Sequence, residues 1–484
     1  MKRIIILLSF MTLLANVSNG QSDLTFYHMG ALTPQSSMNN ASFFPDAEFF
    51  ISFPGISGLN IKMDSEISYN QFMVPVEGTD SVKVDIYRAL DNLKEGDNVR
   101  FKGDVSLFQF GIRSGNKTFS LFANMRYSGG FNYPVNFLNY FAYGNGNFIG
   151  EEVDERQIKG GGIAYHEIGL GYTQDLVILE DKTLRIGGRL KYLTGLAHLS
   201  SSKDASVSMF TDPATYDLTI QFNDAMIRTA GLNELQGDDP VGYILGFGSN
   251  DNRGFAIDLG ADLTINDKLH GYLAINDLGF INWKQDVENY ALENSEIVLG
   301  GFDDVNDVNV TQALEDSIDV WTEHVAGQVE FRTGIGTQTL LGASYQVTQK
   351  GNVSGTLSYN RSSYRSSEIG FGVGYTHVLG KALTLSTTVS KDQFRPVKVG
   401  GGFAVRVGAL QLYGVFDDVL NSARQVGDIN SVEARVGLNL LIGRNDKGKR
   451  KPKPAKQKEN LSPFPPEYDL DHLLDEDEGT GSGF

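Results

Sequence analysis

Between Val353 and Ile442 apolar and polar side chains alternate in runs of about ten residues separated by very short turns. Ile369, Phe371, Val373 and Tyr375 alternate with Glu368, Gly370, Gly372 and Gly374, and Val432, Ala434, Val436 and Leu438 with Glu433, Arg435, Gly437 and Asn439. Successive side chains of a strand point to opposite faces, so each run has one apolar and one polar face. Such a length suits a tilted strand that crosses a bilayer. The pattern predicts fourteen strands: 57–70, 99–114, 117–128, 161–174, 184–198, 254–265, 269–281, 336–347, 352–361, 367–378, 382–391, 397–407, 409–417 and 430–443. The regions 44–54 and 204–222 are the places where a further strand is most readily added.

The connections alternate in length. Tight links at Ser114–Lys117, Asn266–Lys268, Gln349–Asn352, Leu379–Lys381 and Gly408 are interleaved with longer ones, of which 129–160, 199–253 and 282–335 are the largest. A somewhat longer turn is expected from Asp175 to Thr183. Short turns on one side and long loops on the other characterise outer-membrane barrels, and an even strand count leaves both termini in the periplasm. The expected fold class is therefore all-β, a transmembrane antiparallel barrel of about fourteen strands. Asp224–Leu235 and Thr311–Val320 carry helical spacing within two of the long loops.

The polar faces hold charge. A charge facing lipid at mid-bilayer costs about 2–4 kcal/mol, so these side chains are expected to point into the lumen. They are Arg126, Arg185, Arg189, Lys191, Asp258, Asp262, Glu368, Lys398, Arg406, Glu433 and Arg435. The mixed signs suggest a salt-bridged interior, or a polar path with a carboxylate site on the Arg185–Arg189–Lys191 run.

The ends differ from the middle. Lys2 and Arg3 precede an apolar run, Ile4 to Leu14, and Ser18 and Gly20 are placed for cleavage before Gln21, the pattern of a signal peptide over 1–20. Residues 21–56 carry the clusters Phe43-Phe44-Pro45 and Phe49-Phe50-Ile51. They read either as a plug tucked into the barrel or as a lead-in with one more strand. After the barrel, 57–443, the tail 444–484 is basic and Pro-interrupted, then acidic, and is expected to be disordered and periplasmic. It reads as a solvated polyampholyte or as a tether to peptidoglycan or a periplasmic protein.

Catalytic chemistry finds little support. The chain has no cysteine, which removes disulfides, thiol catalysis and a lipid anchor on an N-terminal Cys. Its seven histidines show no metal-ligand spacing, and neither HExxH nor GxSxG occurs. His166 and Glu167 are adjacent, hence on opposite faces. His377 reads as an interface-girdle residue beside Tyr375. Asp303, Asp304, Asn306, Asp307 and Asn309 form an oxygen-rich loop, but Val308 replaces a ligand and the turn glycine of a calcium loop is missing. No cofactor, metal or enzymatic activity is expected. The net charge of −18 argues against nucleic acid and leaves outer-membrane lipid as the expected partner.

Two sets of residues resemble a known family. Asn39-Asn40-Ala41-Ser42-Phe43-Phe44-Pro45 followed by Phe53-Pro54-Gly55-Ile56 resembles the N-terminus of an uncharacterised outer-membrane barrel family common in Bacteroidetes. Gly254–Gly260 and Asn276–Trp283 resemble its mid-barrel signature. That family is similar in architecture to the fatty-acid transporter barrels and to the barrel subunit of the type 9 secretion system. Where related barrels show Asn-Pro-Ala, this chain has Asn40-Ala41-Ser42. The resemblance implies no catalytic residues. It implies a passive, porin-like pathway for small hydrophobic or amphipathic compounds, or a non-catalytic scaffold in an envelope, secretion or gliding-motility assembly. An open channel or an apolar pocket beside 21–56 favours the first, and a lumen packed with side chains the second.

Overall fold

A computed structural model describes residues 24–443, apart from 77, 79–80, 157–158, 180–181, 203–204, 249, 293–294, 300–325, 363–366, 381, 393–396 and 420–427. The signal-peptide segment, the tail, the oxygen-rich loop at 303–309 and the helical spacing at Thr311–Val320 lie outside the described residues.

The wall is a closed antiparallel barrel of fourteen strands. In chain order they are β1 (Phe49–Ser52, resuming as Leu59–Ser65), β2 (Asn98–Ser114), β3 (Lys117–Asn132), β4 (Gly160–Leu179), β5 (Lys182–Ser201), β6 (Arg253–Asn266), β7 (Leu269–Trp283), β8 (Phe331–Gly334, resuming as Thr337–Thr348), β9 (Gly351–Arg361), β10 (Glu368–Leu379), β11 (Leu383–Asp392), β12 (Lys398–Val407), β13 (Leu410–Phe416) and β14 (Ser431–Ile442). Each pairs with its chain neighbours, and β1 closes the ring by pairing with both β2 and β14. Closure leaves no sheet edge, which a bilayer requires because it offers no water to unpaired backbone groups. No helix among the described residues is long and apolar enough to cross a membrane.

Three expectations are corrected. The first strand is not continuous over 57–70: its lower half is Phe49–Ser52, and Phe53–Gly58 bulges where Pro54 lacks the N–H a ladder needs. The expected turn from Asp175 to Thr183 is strand, because β4 and β5 pair as far as Leu179 and Lys182, with Arg185 bonded across the ladder to Asp175 at 2.5 Å. The expected helix at Asp224–Leu235 is mainly strand: Ala225–Ala230 pairs with β5 and with Val287–Leu292, and only Leu232–Gln236 is helical. So short a helix gives back few hydrogen bonds for its nucleation cost, whereas the ladder satisfies the backbone on both sides.

The region 204–222 adds no spanning strand among the described residues. Glu152–Arg156, Ser206–Thr211, Leu218–Asn223 and Ser295–Leu299 form a separate four-stranded sheet built from three long connections. Its apolar side packs Tyr140, Val207, Met209, Ile220 and Ile297 into a core of its own.

Outward positions of the wall are apolar and exposed, among them Leu170, Leu190, Phe255, Leu357 and Val389. Where a glycine would leave the outer wall thin, an aromatic ring from the next strand covers it. Tyr127 lies over Gly103 and Phe101 over Gly129, so close that a Cβ at either glycine would strike the ring. Leu170→Arg, on the outer face, is expected to destabilise the barrel in lipid by about 2–4 kcal/mol. Urea titration of the protein in vesicles checks this, with Ser120→Arg, on the inner face of the adjacent strand, expected to cost less.

Candidate functional site

The N-terminal segment fills the lower lumen. Helix α1 (Leu24–His28) and the turn Pro34–Met38 lie inside the ring, and the chain then descends to β1 at the short-turn end. Leu24, Tyr27 and Phe43 pack with Ala274 and Leu340, and Phe26 and Met29 with Ala404, Tyr413 and Val415, so apolar contacts reach well-separated strands of the wall. Hydrogen bonds fix the register. Gln35 Nε2 donates to Ser52 Oγ and Asn439 Oδ1, Asn276 Nδ2 donates to Asn39 O at 2.7 Å, and Thr25 N donates to Asp417 Oδ1 at 2.9 Å. Glycine stands in the wall where the backbone around Asn40 and Ala41 comes closest: a Cβ at Gly260 would lie 2.1 Å from Asn40 Oδ1, and one at Gly187 would lie 2.1 Å from Ala41 O.

His28 sits in this segment between Thr356 and Thr388, its ring nitrogens 2.9 and 3.3 Å from their hydroxyls. Burial holds its pKa down to about 4, from an ordinary 6.5. The seated segment therefore refuses a proton that the released one binds. Seating is at full strength above pH 6.5 and weakens as pH falls from 6.5 towards 4. Protease accessibility of residues 24–48, measured from about pH 7.5 down to about 4.5, is expected to rise across that window, and His28→Gln is expected to flatten the rise.

Above the segment the lumen charges form two networks. In the first, Lys191 Nζ lies 2.7 Å from Asp258, 2.6 Å from Asp277 and 3.5 Å from Glu167. Arg126 reaches Asp277 at 2.6 Å and Glu167 at 3.2 Å, and Arg189 reaches Asp258 at 3.3 Å while stacking on Phe122. In the second, Lys62 and Lys398 bridge Asp64 and Glu433, Arg100 pairs with Glu368 and Asp392, and Arg435 pairs with Asp104. The other named residues stand apart. Arg185 pairs with Asp175 near the short turn, Asp262 lies 3.6 Å from His270, and Arg406 donates to the carbonyls of Asp46, Leu441 and Gly443 at the rim. The Arg185–Arg189–Lys191 run is thus already matched by acids. His166 is turned away from Glu167, outside the wall and stacked on Phe247.

Five further acids complete these networks: Asp64, Asp104, Glu167, Asp277 and Asp392. Four of them lie on the polar face of an alternating run, and Asp277 does not. It breaks the alternation by adopting a left-handed backbone, φ 61°, which turns its carboxylate inward beside that of Asp258. Removing one buried charge leaves the others uncompensated, so Lys191→Met is expected to destabilise the barrel by about 3–5 kcal/mol in denaturant titrations.

Asp277 also marks a break in the wall. Leu269–Asn276 of β7 pairs with Gln338–Tyr345 of β8, and Phe280–Trp283 pairs with Phe331–Gly334. The backbone bond between these two stretches is long, Ile335 N to Gly279 O at 3.3 Å. A cavity of about 540 Å³ adjoins this break, lined by Leu278, Gly279, Arg332, Gly334 and Thr337, with Arg228 and Ser200 from the inner face. A smaller void of about 70 Å³ continues into the lumen past Asp277, Arg126 and Gln338, and shares Gly336, Thr337, Arg361 and Ser362 with the first. Above it, inward-facing Tyr165, Leu193, Ile281 and Trp283 pack with Ile335 into an apolar layer.

Closed ring, lipid-facing exterior and matched internal charges define an outer-membrane-type β-barrel. The chain belongs to a family of unknown function, DUF5723, whose model matches residues 42–417. No curated protein is similar to it in sequence. Among solved structures it is similar to the Ralstonia pickettii toluene transporter TbuX, at 10% identity and TM-score 0.40, covering 85% of this chain and 95% of that one. It is also similar to a Pseudomonas aeruginosa FadL homologue, at 10% identity and TM-score 0.37, covering 84% and 91%. The translocator domain of the autotransporter NalP from Neisseria meningitidis is a third, at 8% identity and TM-score 0.32, covering 88% and 100%.

Proposed function

We propose that this barrel is a gated, non-catalytic pathway for small hydrophobic or amphipathic compounds, with its long loops outside the cell and both termini in the periplasm. The observation that carries the reading is the break between β7 and β8, where the larger cavity, lined from both faces of the wall, and the smaller void on the lumen side share Gly336 and Thr337. The seated N-terminal segment and the charge networks leave little room for an open aqueous pore. A solute crossing at the break has to displace side chains and a long backbone bond, whereas axial passage also requires the N-terminal segment to leave.

The chain contains no cysteine, so thiols introduced at Leu278 and Thr337 are the only ones present. Joining Leu278→Cys and Thr337→Cys with a short bis-maleimide is expected to stop uptake of a small aromatic hydrocarbon into proteoliposomes, while either single variant carries it. Uptake that survives the crosslink, or no uptake by the unmodified protein, removes this reading.

A second reading, a scaffold in an envelope, secretion or gliding-motility assembly, is favoured by the packed lower lumen and by the four-stranded sheet with its own core in the long connections. In that reading the tail 444–484 tethers the barrel to peptidoglycan or a periplasmic protein. Pull-down from native outer membrane, with and without 444–484, is the measurement that separates the two.

A further inference from the structure

Another large cavity lies on the lipid-facing surface, over β3, β4 and β5 rather than at the break between β7 and β8. It measures about 540 Å³ and is bounded by Phe101, Phe131, Leu199, Ile227 and Leu232. All the bounding side chains but Leu232 belong to outward positions, and four of them, Phe101, Phe131, Leu199 and Ile227, are among the exposed large apolar residues. Its floor is glycine backbone, because β3 and β4 meet there through Gly130 against Gly161, with Gly160 and Gly162 on either side and the Phe101 ring covering Gly129. The start of the helix at Leu232–Gln236 closes one side, so a loop and the wall together shape the recess.

Such a volume is within the roughly 300–1,000 Å³ of small-molecule pockets. The lining is almost wholly apolar, and the recess is continuous with the exposed apolar belt of the barrel, so its neighbour is hydrocarbon. Polar chemistry enters at the rim, where Lys159 and Asn132 stand at the long-loop end of β4 and β3. No carboxylate among the described residues pairs with the Lys159 amine. An apolar trough below a lysine matches one membrane lipid, its acyl chain laid over the glycines and its phosphate beside the amine.

We propose that this recess is a binding site for a phosphate-bearing membrane lipid, independent of any solute that crosses the barrel. Gly162 supplies the test. A Cβ placed there meets Ser128 O at 3.5 Å and Phe101 Cζ at 3.6 Å, ordinary contacts, so the backbone tolerates a side chain that fills the trough. Gly355, on a distant strand, has open space around its Cβ position and provides the control.

The full-length protein, extracted from its native membrane in mild detergent, is analysed by native mass spectrometry for retained lipid. The unmodified protein and Gly355→Leu are expected to carry one phosphate-bearing lipid. Gly162→Leu is expected to reduce occupancy about tenfold, the consequence of losing roughly 1.4 kcal/mol of binding. Lys159→Ala, which leaves the trough intact, is expected to lower occupancy several-fold and to abolish the preference for phosphate over neutral lipids added back in detergent. Heat-modifiable gel mobility confirms that each variant is folded. Equal occupancy in folded Gly162→Leu and unmodified protein, or a retained species without phosphate, overturns the proposal.

Discussion

Closure of the ring is the constraint on which the rest depends. A bilayer supplies no hydrogen bonds, so every wall strand needs a partner on both sides, and the last free edges belong to β1 and β14. β1 meets this demand in two pieces, Phe49–Ser52 against Ile442–Asn439 and Leu59–Asp64 against Val436–Ser431. The bulge between them is held by Gly55 N to Ser106 O and Leu438 N to Ile56 O, so the neighbouring strands remain bonded even where regular pairing lapses.

A ring of this size encloses space that outward-facing apolar side chains cannot fill. Two devices occupy it. The N-terminal segment brings aromatic and amide side chains into the lower half, and the wall accepts it because glycines stand where the backbones touch. Higher in the lumen stand charges that are individually costly and mutually compensating. Lys191, Arg126 and Arg189 face Glu167, Asp258 and Asp277, three cations against three anions. Buried ions of this kind hold one arrangement rather than many, because any displacement strands a charge. The backbone bears part of the cost, in the left-handed turn at Asp277 and the lost pairing between β7 and β8 beside it.

Much of the wall is legible in the sequence because alternation and turn spacing are local. Each strand needs only its own residues to declare an apolar face, and tight turns such as Gly115-Asn116 and Gly408-Ala409 declare themselves by composition. The expectations fail where a local signal competes with a partner distant in sequence. Asp224–Leu235 has helical spacing, yet His198 to Ser201 of β5 and Val287 to Leu292 take Ala225–Ala230 into the sheet, and neither partner is visible from the segment itself. The cations of the lumen show as breaks in the polar faces, but Glu167 reads as half of a His-Glu pair and Asp277 as part of a motif. Only folding brings both to Lys191.

The class of structure, and the side of the wall that most strand residues face, follow from the chain alone, because a period of two needs no tertiary information. Which inward charges meet, where 24–48 rests and where the wall is weakest are settled only in the folded barrel. Those depend on the ring's closure, which brings Gln35 to Asn439 and Thr25 to Asp417 across nearly the whole length of the chain. No local pattern encodes such a distance; it follows from fourteen strands having to end where they began.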